Sequence, residues 1–169
     1  MSKWKNVLDM ASSIAILCVC VLIGIIGVRK YLHSESLPST DLPHKGTQIE
    51  LAGIDWGAAN RTLVLALSTQ CHFCNESSDF YRRLAPAAIA AKIPLVAVFP
   101  QSREEARAHW ISEHLSTQGL EFVQVPSGRL PISGTPTLIL VDHKGVVLRA
   151  WVGKLPPSGE AEVIHDVQQ

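Results

Sequence analysis

The chain has 169 residues, enough for one domain and a short attached segment. It carries 15 Lys and Arg against 15 Asp and Glu, so its formal net charge is zero and gives no electrostatic reason to expect nucleic acid as a partner. Hydrophobic residues form 47% of the chain, a high share for a soluble protein of this size.

An uncharged stretch near the N-terminus predicts a membrane anchor. Residues 1–10 are polar and include two lysines, whereas residues 11–28 contain no charged side chain. As a helix, 11–28 would be about 27 Å long, close to the hydrocarbon thickness of a bilayer. A cleaved signal peptide is the main alternative, but Arg29 and Lys30 follow where a small-residue cleavage site would be needed. We therefore expect a tail at 1–10 and an uncleaved transmembrane anchor at 11–28.

The orientation of this anchor is less clearly marked, because positive charges flank it on both sides. A short N-terminal tail usually stays in the cytoplasm ahead of an uncleaved anchor, so we expect the tail there and the rest of the chain outside. Residues 29–46 contain Ser, Pro and Gly and few large apolar groups, which is a linker composition. This leaves 47–169 as the globular domain.

The globular domain begins with two extended segments and a helix. Residues 48–56 resemble a small edge hairpin or strand, and residues 62–68 are apolar and branched, as expected for a buried strand. Apolar side chains then recur at helical spacing, at Phe73, Phe80, Tyr81 and Leu84. The join between strand and helix carries the sequence Cys71-His72-Phe73-Cys74.

The Cys71/Cys74 pair is the clearest chemical signal in the chain. Two cysteines three apart at a helix start can close a disulfide, and backbone N–H groups there favour a thiolate at Cys71, the attacking species in disulfide exchange. A four-ligand zinc site would need a second pair downstream, and a c-type haem attachment would need histidine where Asn75 stands. Cys18 and Cys20 lie in the predicted anchor, so we do not expect them to meet this pair.

The middle of the chain continues as an alternation of helix and strand. Pro86 is predicted to kink or end the first half of the helix after Cys74. Residues 94–100 form a second apolar strand, and 120–125 a third. Between them, Ser102 and Glu105 form a capping-box pattern that begins a helix expected to run until Gly119.

A second motif comes near the C-terminus. Thr135-Pro136 stands just before a strand at 138–141, and a turn at 142–145 leads into another strand at 146–151, which predicts an antiparallel pair. Residues 158–169 form an amphipathic helix for which Ser158 is the predicted cap.

This order of elements and motifs resembles the thioredoxin superfamily over roughly residues 47–169. The resemblance implies an α/β fold with a central mixed sheet flanked by helices. It also implies that Cys71 is the nucleophile, that Cys74 resolves the mixed disulfide, and that Pro136 is a cis-proline. Thr135 would then lend backbone groups to a substrate strand. With its anchor, the chain is most similar to membrane-anchored TlpA-like and cytochrome c maturation-type thiol-disulfide oxidoreductases.

Several positions depart from the family pattern, including His72-Phe73 in place of the family's Gly-Pro. Gln70 replaces the tryptophan common before the first cysteine, and Leu65 stands where many members place an acidic residue on the strand. Ser77 stands where TlpA-like reductases often carry glutamate. The group that accepts the proton of the resolving thiol is therefore open. Glu76 is one candidate, and a solvated charge near a helix start is its alternative interpretation.

His72 also has two interpretations. A protonated histidine next to the nucleophile would stabilise the thiolate and make the disulfide more oxidising, but His72 could equally be an exposed polar side chain.

The resemblance implies a function as well. The expected activity is exchange of the Cys71/Cys74 dithiol/disulfide with extracytoplasmic protein substrates, without cofactor or metal, by a single-pass protein of the bacterial inner membrane whose domain faces the periplasm. The expected direction is reduction in the maturation of a redox protein, with electrons from a membrane-embedded donor. The alternatives are a Cu(I) metallochaperone using Cys71, Cys74 and a later histidine such as His143, and a catalytically silent docking module. A peroxidase is disfavoured, because the threonine and arginine arrangement that usually accompanies its cysteine is not found.

Overall fold

The computed structural model describes residues 43–169. The predicted tail, the predicted anchor and most of the predicted linker lie outside this range, so the membrane anchor at 11–28 stays a prediction. Within 43–169, no helix combines the length and the apolar composition that a membrane crossing requires.

A five-stranded mixed sheet forms the centre of the domain. Its strands are β1 (Arg61–Ala66), β2 (Leu95–Phe99), β3 (Leu120–Gln124), β4 (Thr137–Asp142) and β5 (Val147–Val152). The spatial order is β3-β2-β1-β4-β5, with β1, β2 and β3 parallel to one another and β4 antiparallel to both β1 and β5. Strand β1 is buried from its second residue onward because it has neighbours on both edges and both faces. The predicted mixed sheet is confirmed.

Four helices flank this sheet: α1 (His72–Glu76), α2 (Ser78–Ala90), α3 (Arg103–Ser112) and α4 (Pro157–Gln168). Their buried side chains join one core cluster with the odd-numbered positions of β1, and that cluster includes Cys74, Phe80, Tyr81, Trp110, Val163 and Val167. The even-numbered positions of β1 face a second cluster, which is closed by Ile49, Leu51 and Leu130. The helices therefore lie on one face of the sheet, and the segment before β1 and the loop after β3 cover the other.

The helix after the cysteines breaks at Ser77 and not at Pro86. Ser77 has φ −92° and ψ 5°, and its hydroxyl donates a hydrogen bond to the Phe73 carbonyl at 2.8 Å. Such a bond to the preceding turn competes with the helical backbone pattern. Pro86 lies inside α2, on the exposed side of the helix. Because proline has no N–H group, one backbone carbonyl of the preceding turn loses its helical hydrogen bond and can bind solvent instead.

Three predicted element boundaries differ from the observed ones. The predicted hairpin at 48–56 is a single bridge between Gln48 and Val146 followed by a 3₁₀ turn at Trp56–Ala58. Helix α3 ends at Ser112, well before Gly119, although its predicted start is confirmed because Ser102 Oγ accepts from Glu105 N–H at 3.2 Å. Helix α4 begins at Pro157 without a side-chain cap, so Ser158 is not its cap. Proline at the first position suits a helix start by its fixed φ.

The turn between β4 and β5 holds the segment that precedes β1. Gly145 has φ +75°, and its carbonyl accepts a hydrogen bond from Ile49 N–H at 2.8 Å. Asp142 Oδ1 closes the turn by accepting from the N–H groups of Lys144 and Val146, at 2.8 and 2.9 Å. These two backbone bonds, chiefly the one from Val146, hold the pKa of Asp142 below its usual value.

Replacement of Gly145 by alanine is expected to destabilise the domain by about 3 kcal/mol. One part of this cost is the left-handed backbone conformation, and the other is a steric clash of the new Cβ atom. A Cβ atom there would lie 2.9 Å from the Ile49 carbonyl oxygen and 2.7 Å from Trp56 Nε1. Gly128→Ala is the matched control, since Gly128 has φ +81° and open space around its Cβ position. We expect Gly128→Ala to cost only about 1–2 kcal/mol in urea unfolding, and equal losses in the two variants would contradict the clash.

Candidate active site

The two cysteines lie at the start of α1, directly after the loop that leaves β1. Cys71 is the N-cap residue, and its Sγ atom accepts a hydrogen bond from Cys74 N–H at 3.1 Å. A disulfide joins the pair, with the Cα atoms 5.2 Å apart. Cys71 is half-buried, whereas Cys74 is only 6% exposed and belongs to the core cluster. One sulfur is therefore accessible from solvent, and the other is covered.

The Thr135–Pro136 loop lies against the accessible sulfur. Its peptide bond is cis, and the Thr135 carbonyl oxygen is 3.3 Å from Cys71 Sγ. The loop is held from both sides, because the Pro136 carbonyl accepts from Gly153 N–H at 2.7 Å and Thr137 Oγ1 donates to the Gly134 carbonyl at 2.7 Å. Pro136 is buried, while Thr135 is half-exposed. The backbone beside Cys71 is thus positioned and still reachable.

His72 and Glu76 lie on the outer side of α1 in a chain of polar contacts. Glu76 Oε1 is 3.1 Å from His72 Nε2, and Glu76 Oε2 is 2.9 Å from Lys154 Nζ. The hydrogen bond from Lys154, more than the charges of Lys154 and His72, holds the pKa of Glu76 below its ordinary value. The Glu76 carboxylate is therefore ionised and committed to surface partners. Its predicted tuning role, like that of His72, stays a prediction.

A group of polar side chains next to Cys74 was not found from the sequence. Asn75 Oδ1 is 3.0 Å from His109 Nε2, and the Ser78 hydroxyl is 2.7 Å from the Asn75 carbonyl and 3.1 Å from Glu113 Oε2. Tyr81 from α2 stacks on Trp110 from α3, with ring centroids 5.6 Å apart, and this packing brings His109 towards α1. The sequence shows that His109 and Glu113 are four residues apart. It does not show which helix their side chains face.

The residues proposed for Cu(I) are not brought together. Thr135, next to Cys71, precedes β4, whereas His143 follows β4 in an exposed turn. A six-residue strand separates the two ends by about 20 Å. Among the described residues 43–169, no group of three or more His, Cys, Asp or Glu side chains is arranged to hold a metal ion. His143 is therefore too far from Cys71 to share a metal ion with it.

Comparison with solved structures identifies the fold. A Chlorobium tepidum protein, proposed to be the thiol:disulfide interchange protein DsbE, superposes with a TM-score of 0.57 at 20% identity, over 78% of this chain and 100% of that one. The thioredoxin domain of a Bacteroides vulgatus thiol-disulfide oxidoreductase gives 0.52 at 18% identity, over 79% and 100%. A thioredoxin-like protein from Aeropyrum pernix gives 0.50 at 16% identity, over 83% and 98%. The domain therefore has the thioredoxin-like α/β fold, as the sequence motifs predicted.

Comparisons by sequence add nothing to this result. No family model matches the chain, and no curated protein matches it.

Proposed function

We propose that this protein is a thiol-disulfide oxidoreductase that exchanges its Cys71/Cys74 pair with cysteines of protein substrates. The observation that carries the proposal is the environment of Cys71. Its sulfur is half-exposed, bonded to a buried partner one turn away, and 3.3 Å from the carbonyl of the Thr135–Pro136 loop. A reactive sulfur next to reachable backbone groups suits a peptide strand as the reaction partner. The thioredoxin-like fold of the domain supports the same activity.

The proposed reaction has two displacement steps. In the dithiol form, the Cys71 thiolate attacks one sulfur of a substrate disulfide, and the other substrate sulfur leaves as a thiolate that takes up a proton. Cys74 then loses its proton and attacks Cys71, which releases the second substrate thiolate and forms the Cys71–Cys74 disulfide. The substrate gains two electrons and two protons, and the protein loses the same number. The reverse sequence oxidises a substrate dithiol.

The hydrogen bond from Cys74 N–H to Cys71 Sγ favours the thiolate over the thiol at Cys71. In a Cys18→Ser/Cys20→Ser background, we expect Cys71 of the reduced protein to react with iodoacetamide at neutral pH at least about tenfold faster than glutathione does. A Cys74→Ser variant should accumulate mixed disulfides with substrate proteins in cells, because the resolving step is lost. Gel electrophoresis without reductant, followed by mass spectrometry, measures the trapped species.

Cys71→Ser is the matched control and should trap nothing. The docking-module alternative predicts the opposite outcome for the test variant: alkylation of Cys71 no faster than of glutathione, and no mixed disulfide in the Cys74→Ser strain. Either result together with a folded protein would contradict the proposed activity.

We further propose that the exchange runs as a reduction, during maturation of a redox protein such as an apocytochrome. The support is the resemblance of the chain to membrane-anchored maturation proteins, together with the predicted anchor, which suits a membrane-embedded electron donor. The expected midpoint potential of the Cys71/Cys74 couple is below about −200 mV, between those of glutaredoxins and thioredoxin. Equilibration with glutathione buffers measures it. A value near −120 mV, typical of disulfide donors, would contradict the reductive direction.

The proposed location is the periplasmic face of a bacterial inner membrane. The support is the uncharged segment 11–28 behind a short polar tail. A reporter enzyme that is active only in the periplasm, fused after Gln169, is expected to be active in cells, and a reporter active only in the cytoplasm should be silent at the same position. The reverse pair of results would place the domain in the cytoplasm.

A further inference from the structure

We propose that His109 accepts the proton of Cys74 in the resolving step. This inference rests on the proposed function and names a group for the one proton transfer that the cysteines cannot perform by themselves. The need for such a group follows from burial. A thiol that is 6% exposed has little access to bulk water, and only its thiolate can attack the mixed disulfide.

The strand beneath Cys74 offers no acceptor. Leu65, which lies in the same core cluster as Cys74, is 1% exposed and apolar. Glu76, the acidic residue nearest in the chain, bonds to His72 and Lys154 on the surface. The proton must therefore leave Cys74 on the side of the molecule where α1 packs against α2 and α3.

A small cleft opens on that side. Its lining combines apolar side chains of the core with Cys74 and with the polar groups of Asn75, Ser78, Tyr81, His109 and Glu113. Its volume of about 10 Å³ is close to that of a single water site. Tyr81, whose buried hydroxyl interacts with Ser77, belongs to the same lining. A proton can therefore pass from Cys74 to the polar side chains directly or through one water.

Among the titratable groups of this cleft, His109 is best suited to accept the proton. Burial raises the pKa of Tyr81, which keeps that phenol protonated and therefore unable to accept. Glu113 Oε2 lies 3.1 Å from the Ser78 hydroxyl, and this contact occupies one oxygen of the carboxylate. Glu105, one turn earlier on α3, bonds to Thr69 outside the cleft. Histidine is the side chain whose unperturbed charge change falls between pH 5 and 8, where thiol exchange operates.

The contact with Asn75 holds the ring of His109 beside α1, with Nε2 3.0 Å from the Asn75 side-chain oxygen. During resolution, the Cys74 S–H bond breaks, its proton goes to a ring nitrogen of His109, and the Cys74 sulfur forms a bond to Cys71 as the substrate thiolate departs. The imidazolium can return its proton to that thiolate or to solvent, so the histidine is regenerated.

The two steps can be timed separately with Ellman's reagent. In the reduced full-length protein, with Cys18 and Cys20 replaced by Ser, attack by Cys71 releases one coloured thiolate, and resolution by Cys74 releases a second. We expect His109→Gln to leave the first phase unchanged and to slow the second at least tenfold, a conservative loss for removal of a general base, which contributes about 10²–10⁴. The slowing should shrink as the pH rises, because only the Cys74 thiolate attacks and hydroxide from bulk water can then remove its proton.

A chemical rescue separates proton transfer from a packing defect. In His109→Ala, added imidazole is expected to restore the rate of the second phase, whereas a merely structural role would leave that rate low. His143→Gln is the matched control, because His143 is exposed in the β4–β5 turn and far from the cleft. Both phases should keep their normal rates in this variant.

The outcomes distinguish the two proposals. A wild-type protein that shows no fast first phase contradicts the proposed function itself. A normal first phase with an unchanged second phase in His109→Gln overturns the role of His109 and leaves the function intact. Slowing by Glu113→Gln without slowing by His109→Gln would assign the proton to Glu113 and also overturn this inference.

Discussion

The pairing of β1 with β4 is the constraint on which the candidate site depends. Ala66, at the end of β1, pairs with Thr137, at the start of β4, so the two loops that leave these strands emerge side by side. One loop leads to Cys71 and the other contains Thr135 and Pro136, although they are about sixty residues apart in the chain. The hydrogen bonds of the antiparallel ladder therefore bring two distant sequence motifs together around the sulfur of Cys71.

The two cysteines have different surroundings because they lie one turn apart on the short helix α1, and the second of them faces the core. Cys71 caps the helix at the surface, whereas Cys74 joins the aromatic core that Tyr81 and Trp110 form between α2 and α3. This difference suits the proposed exchange, in which the accessible sulfur reacts with the substrate protein and the covered sulfur completes the reaction. In the proposed mechanism the two protons leave by different routes, one to solvent and one through the cleft that His109 lines.

Charges around the site are divided in the same way. Glu76, His72 and Lys154 form their chain on the outer side of α1, where solvent screens them and where a partner protein would approach. His109 and Glu113 lie on the inner side, next to the buried sulfur. The charged groups on the outer side of α1 are therefore separate from the groups that surround the buried sulfur.

The sequence by itself determined what depends on near neighbours in the chain: the apolar strands, the cysteine pair at a helix start, the capping box at Ser102, and the motif before β4. It also indicated the thioredoxin-like fold, because the order of these elements is distinctive. Only the tertiary structure decided which side chains surround Cys74. His109 and Cys74 are 35 positions apart, and their proximity comes from the packing of α3 on α2, which no local pattern encodes.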